Sequence, residues 1–209
     1  FANSQAGGTD FRIDCLNDGN EYIHMVDVRL GGSAGQTYSI NLTTANGGWN
    51  LVSTPLVPMA TAVADFLASI AGKYDLVQAY YDGAWHSYPS GDLTTINEKM
   101  GLWIHVTQNC TLVINGQPPT STTINLTAAN GGWNLIGWPS GSSRPLATAL
   151  AGIAGQYEKV YAYNAADLAD SWKLYVPSAP GYVNDLQNME PGKGYWIRVT
   201  ADCSLVVLY

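Results

Sequence analysis

The sequence predicts a mainly β protein: two tandem copies of a small sandwich- or barrel-like β domain, each with one short helix, behind an N-terminal β-hairpin. Three observations point there. The chain repeats itself from residue 38 to its end, its apolar segments mostly alternate with period two, and Gly, Asn, Thr and Ser cluster between those segments as turn chemistry.

The repeat is plainest in ANGGWNL, which stands at 45–51 and again at 129–135, each time after INLT. Ile40 matches Ile124, Trp49 matches Trp133 and Pro55 matches Pro139; later Trp85 matches Trp172 and Trp103 matches Trp196. The copies close on MGLWIHVTQNCTLVI and KGYWIRVTADCSLVV. The offset is 84 at Ile40 and 93 at Cys110, and the extra residues fall in NAADLADS and SAPGYVNDLQ. Those stretches read as loops, where insertions cost least. The organisation is therefore an arm over 1–36, repeat one over 37–116 and repeat two over 117–209.

Each element has its own signal. In the arm, FRIDCL and EYIHMVDVRL flank the turn NDGN, and GGSAG joins them to repeat one. Two strands alone are marginal in water, so this hairpin should add to a repeat's sheet, pair with another chain, or belong to a further domain. Within the repeats, YSINLTT and TTINLTA alternate as half-buried strands, and NGG supplies residues that accept positive φ. WNLVSTPL and WNLIGWP read as second strands ended by proline. Val63, Phe66, Leu67 and Ile70 follow helical spacing, with Gly72 and Gly155 placed as left-handed C-caps. YDLVQAYY and YEKVYAY read as Tyr- and Val-rich strands, WHSYP and WKLYVP as short ones. LWIHVT–NCTLVI and YWIRVT–DCSLVV read as closing hairpins.

Composition narrows the function. Apolar residues make up 46% of the 209, enough for a real core, while charged residues are only 12%, about half the usual share. A net charge of −7 with nine Lys and Arg leaves no basic patch for phosphates, which argues against nucleic acid. No apolar run is long enough to insert into a membrane. The chain begins at Phe1, as a mature product or a piece of a longer protein would.

Candidate chemistry is sparse. No HExxH, GxSxG or phosphate-loop motif occurs, and His86 and His105, replaced by Lys173 and Arg198 in repeat two, read as solvated surface residues. The expectation is no enzyme and no cofactor. Asn164, Asp167 and Asp170 are oxygen ligands close in sequence that could hold calcium, although a surface loop explains them as well. Cys110 and Cys203 occupy one place in the two copies, so a disulfide would join Cys15 to Cys110; three buried free thiols are the alternative.

Seven Trp and 13 Tyr invite a carbohydrate reading, because sugar C–H faces stack on aromatic planes. Six Trp fall in matched pairs, however, which reads as two cores each needing the same rings. Trp138 alone lacks a counterpart, with Thr54 in its place, and so becomes the candidate stacking residue, with Tyr161, Tyr163 or Tyr182 as its companions.

The phrases GWNLIGWP and MEPGKGYWIRV, with YEKVYAYN between them, resemble a tandem repeat domain of secreted and cell-surface proteins of bacteria and archaea. That resemblance implies a tandem accessory module outside the cell. The resulting expectation is a non-catalytic structural or adhesive module, extracellular or on the cell surface. It would contact itself or neighbouring domains through its N-terminal strands, as a filament subunit does. The alternative is a carbohydrate-binding module whose partner is a polysaccharide.

Overall fold

In the strand Leu102–Val106, Leu102, Ile104 and Val106 are buried while Trp103 and His105 are only half-covered. This alternation organises the molecule, because successive side chains of a strand point to opposite faces. The structure is a computed structural model and describes residues 35–209. Residues 1–34 of the arm, including Cys15, lie outside the described residues, and the arm's last residue, Gln36, already begins the first strand of repeat one.

Repeat one contains β1 (Gln36–Leu42), β2 (Trp49–Val52), β3 (Val57–Pro58), β4 (Tyr74–Tyr81), β5 (Ala84–Tyr88), β6 (Leu102–Val106) and β7 (Cys110–Gln117). Repeat two contains β8 (Ser121–Leu126), β9 (Trp133–Ile136), β10 (Arg144–Pro145), β11 (Tyr157–Tyr163), β12 (Trp172–Tyr175), β13 (Asn188–Met189), β14 (Tyr195–Val199) and β15 (Cys203–Leu208). The fold is mainly β, with antiparallel sheets in both copies. One four-stranded sheet runs β2-β6-β4-β5 and its counterpart β9-β14-β11-β12. The opposing layer is β1-β7-β3 in repeat one and β8-β15 in repeat two, where β10 pairs instead with β13.

Each core is sandwiched between those layers and closed by a helical turn. In repeat one, Val77, Ala79, Leu102 and Ile104 meet Leu42, Leu112 and Ile114. The expected helix is real but short. Helix α1 (Val63–Phe66) continues only as a 3-10 turn, and α2 (Leu146–Ala149) does the same. Val63, Phe66, Leu67 and Ile70 all enter the core, and Gly72 and Gly155 take the expected positive φ. Burying each large aliphatic side chain stabilises the fold by about 1.5–3 kcal/mol, so these cores are the main source of stability.

Two expectations are corrected. The closing segments are not hairpins: β6 pairs with β2 and β4, whereas β7 pairs with β1 and β3, and β14 and β15 part in the same way. Each connection carries the chain from one layer of the sandwich to the other, because the strands on either side bury their aliphatic faces against a shared core. The matched tryptophans are also not core residues. None belongs to either buried cluster, and they stand on the outer faces of the four-stranded sheets.

Residues Ser33–Tyr209 form one unit, and the two repeats within it contact each other reciprocally. Ser53 N–H donates to Gly192 O at 3.0 Å, and its counterpart Gly137 N–H donates to Lys99 O at 2.8 Å. Isolated bridges repeat the pattern, Val52 with Lys193 and Ile136 with Met100. These backbone contacts mirror one another, as at an isologous interface.

Candidate ligand-binding site

The doubled NGG builds the site. Asn46, Gly47 and Gly48 all have positive φ, as do Asn130, Gly131 and Gly132. A Cβ on Gly48 would lie 2.6 Å from Val106 O, and one on Gly132 would lie 2.1 Å from Val199 O. Glycine alone fits this approach. The following asparagine clamps the turn: Asn50 Oδ1 accepts from Thr43 N–H, while its Nδ2 donates to Thr43 O and Gly48 O. Asn134 repeats all three bonds. The intervening Trp49 or Trp133 is thereby delivered to the outer face.

Register then gathers the other rings. Gln78 stands opposite Trp103 and Tyr80 opposite Trp85; in repeat two, Tyr161 stands opposite Trp196 and Tyr163 opposite Trp172. Rings also meet across the repeats. Trp103 contacts Tyr163 and Trp172 at centroid distances of 5.1 and 5.8 Å, and Trp196 contacts Tyr80 and Trp85 at 5.3 and 5.6 Å. Such tilted and edge-on pairs contribute about 0.5–1.5 kcal/mol each beyond their burial, so they fasten the repeats.

The fastening leaves rings in water. Trp85 is 49% exposed and Trp172 45%. A trough of about 540 Å³ is lined by Tyr80, Asn130, Trp133, Tyr161, Trp172 and Trp196. A related trough of about 460 Å³ takes Trp49, Gln78, Trp85, Trp103 and Tyr163 and shares Trp172 and Trp196 with the first. Beside the first trough runs a cleft of about 810 Å³ between the repeats, of mixed polar and apolar lining, which shares Tyr80, Asn130 and Trp133 with it.

Basic side chains hold the frame. His105 Nε2 faces Gly47 O at 2.9 Å and its Nδ1 faces Asp75 Oδ1. Arg198 does the same work opposite, with Nε donating to Gly131 O and a terminal nitrogen to Glu158. His86 Nδ1 lies 2.7 Å from Asp92 Oδ2, and its ring stacks on Tyr81. The hydrogen bond from His86 holds the Asp92 carboxyl below its usual range. These histidines are partnered, not free in solvent as their positions suggested. Both sit where two strands or a turn bring oxygen acceptors to the ring.

The residues singled out from sequence fare differently. Tyr161 and Tyr163 line the troughs. Tyr182 is 90% exposed on a 3-10 turn apart from them. Trp138 is overturned as a stacking residue, being fully buried in the core of repeat two with Nε1 donating to Ser142 O. Its indole fills the volume that closes that core, with the Arg144 guanidinium over its ring.

Asp167 and Asp170 come together, but on Lys173 Nζ, at 3.1 and 2.8 Å, with Asp185 at 3.6 Å. Asn164 instead accepts Ala166 N–H. Backbone N–H donation from Asp170, then Lys173, holds the Asp167 carboxyl low, while the hydrogen bonds to Asp170 and Asp167 raise the Lys173 ammonium. An internal ammonium thus occupies the place proposed for calcium. Cys110 and Cys203 carry free thiols among the described residues, and the expected bond from Cys110 to Cys15 lies outside them. Burial pushes both thiols up, so neither is an activated nucleophile.

A signal for the exposed indoles was present. In LWIHV and YWIRV, Trp shares a face with His or Arg, not with the aliphatic residues. Set beside models of known families, characterised proteins and solved structures, the chain matches none of them.

Proposed function

We propose that the chain is a non-catalytic carbohydrate-binding module of a secreted or cell-surface protein. One observation carries the reading: the three matched indole pairs lie along a shared, water-accessible groove instead of in two cores. Sugar rings offer C–H faces that such planes take up, and leaving an indole half exposed forgoes burial that the core would otherwise gain. Few charges in the sequence, and the resemblance to a tandem module of surface proteins, support the same reading.

The test is affinity electrophoresis through gels cast with neutral polysaccharides. The native chain should be retarded, and Trp172→Ala and Trp85→Ala should run as they do without polysaccharide. Equal mobility of all three proteins in every gel would remove the proposal.

A structural or adhesive role keeps one specific support. Val206 and Leu208, each 56% exposed, and Tyr209 form an apolar end to β15, a surface on which a neighbouring domain or second copy could pack. Concentration-dependent sedimentation reads that role directly, with a single monomeric species at all concentrations counting against it.

A further inference from the structure

We infer that the ligand is an uncharged polysaccharide chain bound along an asymmetric path, which runs from the aromatic trough into the mixed polar and apolar cleft between the repeats. The inference rests on the binding reading above and specifies its ligand. A short sugar held only on the indoles would leave the cleft without a role.

Continuity is the first argument. Tyr80, Asn130 and Trp133 line both the trough and the cleft, so a ligand stacked on Trp133 already stands at the cleft's mouth. The cleft alone, at about 810 Å³, lies in the upper range of sites that enclose a drug-sized ligand. Trough and cleft together therefore suit an extended molecule.

Lining chemistry selects the class. The trough is mostly aromatic rings, whereas the cleft sets Thr95, Asn97, Thr123, Asn125 and Ser204 among apolar neighbours such as Leu135. Asn125 Oδ1 accepts from Ser204 Oγ at 2.9 Å, which fixes the carboxamide with its N–H donors left for a ligand hydroxyl, among the described residues. Of the carboxylates present, Asp202 is engaged by Thr127 Oγ1 and Ala128 N–H. With Asp82 and Lys99 the other charges, the cleft is net acidic, which disfavours uronate or sulfated chains. Stacking planes that continue into hydroxyl-binding amides fit a neutral glycan.

Asymmetry is the third argument. The repeats are reciprocal in their aromatic contacts, yet the surface related to the cleft is covered. There Asn46 Nδ2 donates to Ala165 O and Asp167 O, so the longer β11–β12 connection lies over it. Tyr38, which has Thr122 as its counterpart, also packs against Gly192 and donates its hydroxyl to Pro191 O. On the open side, the β4–β5 turn is only Asp82–Gly83. The path is thus open at one end and built shut at the other, which gives it a direction.

The experiment is calorimetric titration of the chain with ladders of neutral oligosaccharides, gluco-, manno-, xylo- and chito-configured, from disaccharide to octasaccharide. Three variants accompany it: Thr123→Trp and Ser204→Trp, both at exposed strand positions in the cleft, and Trp172→Ala in the trough. The expected result is affinity that climbs with length in at least one ladder. Each cleft variant should lose about tenfold for the longest members and little for the shortest, while Trp172→Ala weakens all lengths. Affinity independent of length, or cleft variants that bind long ligands as the native chain does, would overturn the inference while Trp172→Ala still upheld the binding reading. No heat from any ladder would overturn both.

Discussion

Repeat one and repeat two share a frame and differ at its corners. The shared part is the left-handed NGG turn, its asparagine clamp and the indoles it aims outward. Where the copies differ in sequence, several pairs keep the same job. His105 and Arg198 both tie that turn to a carboxylate on the neighbouring strand. His86 with Asp92 and Lys173 with Asp185 are likewise equivalent pairs of a basic side chain and a carboxylate. Other differences change shape: Trp138 against Thr54 alters a core, and Tyr38 against Thr122, with the longer β11–β12 connection, covers one side of the interface. Duplication therefore does not separate scaffold from surface. A residue matched in both copies can be a surface residue when the two copies build one surface jointly.

The comparison can be broken first at tryptophan. Trp138→Ala empties a core site and should cost about 3–5 kcal/mol, whereas Trp172→Ala, half exposed but paired with neighbouring rings, should cost about 1–2 kcal/mol. Urea unfolding of both variants checks this, and equal losses would place Trp172 in a core after all. Glycine sharpens it next. Gly132→Ala meets Val199 O and should destabilise by roughly 2–4 kcal/mol, while Gly131→Ala, with only the Trp133 ring edge at 3.8 Å, should pay the positive-φ cost alone, about 1 kcal/mol.

The smallest effect is alkaline. Burial first, then the Tyr175 neighbour, pushes the Tyr157 phenol up to about 12, and burial also raises its counterpart Tyr74. A phenol that ionises more readily unfolded than folded contributes stability that is intact below about pH 10 and lost as pH rises toward 12. Denaturant midpoints should fall across that window, and Tyr157→Phe should lessen the fall. Some slope should survive, because burial also raises Tyr195.

Much of the fold was legible because its rules are local. Helical spacing placed Val63, Phe66, Leu67 and Ile70, and turn chemistry placed the positive-φ residues of NGG. Pairing was not legible, since QN and AD look like hairpin turns whether the chain returns beside itself or crosses to the other layer. The site was half legible. Tyr161 and Tyr163 were named, but as companions of Trp138, which is buried. The matched indoles were placed in cores because Trp is usually buried, while their alternation with His105 and Arg198 argued the reverse. Neighbouring charge decided the face, and bulk did not.

The most direct measurement is the set of indole N–H resonances from the seven Trp, recorded with a soluble paramagnetic probe and then with a bound oligosaccharide. The account predicts that Trp85 and Trp172 broaden most, that Trp138 does not, and that the ligand shields the former pair. Broadening confined to Trp138, or none at Trp85 and Trp172, would contradict it.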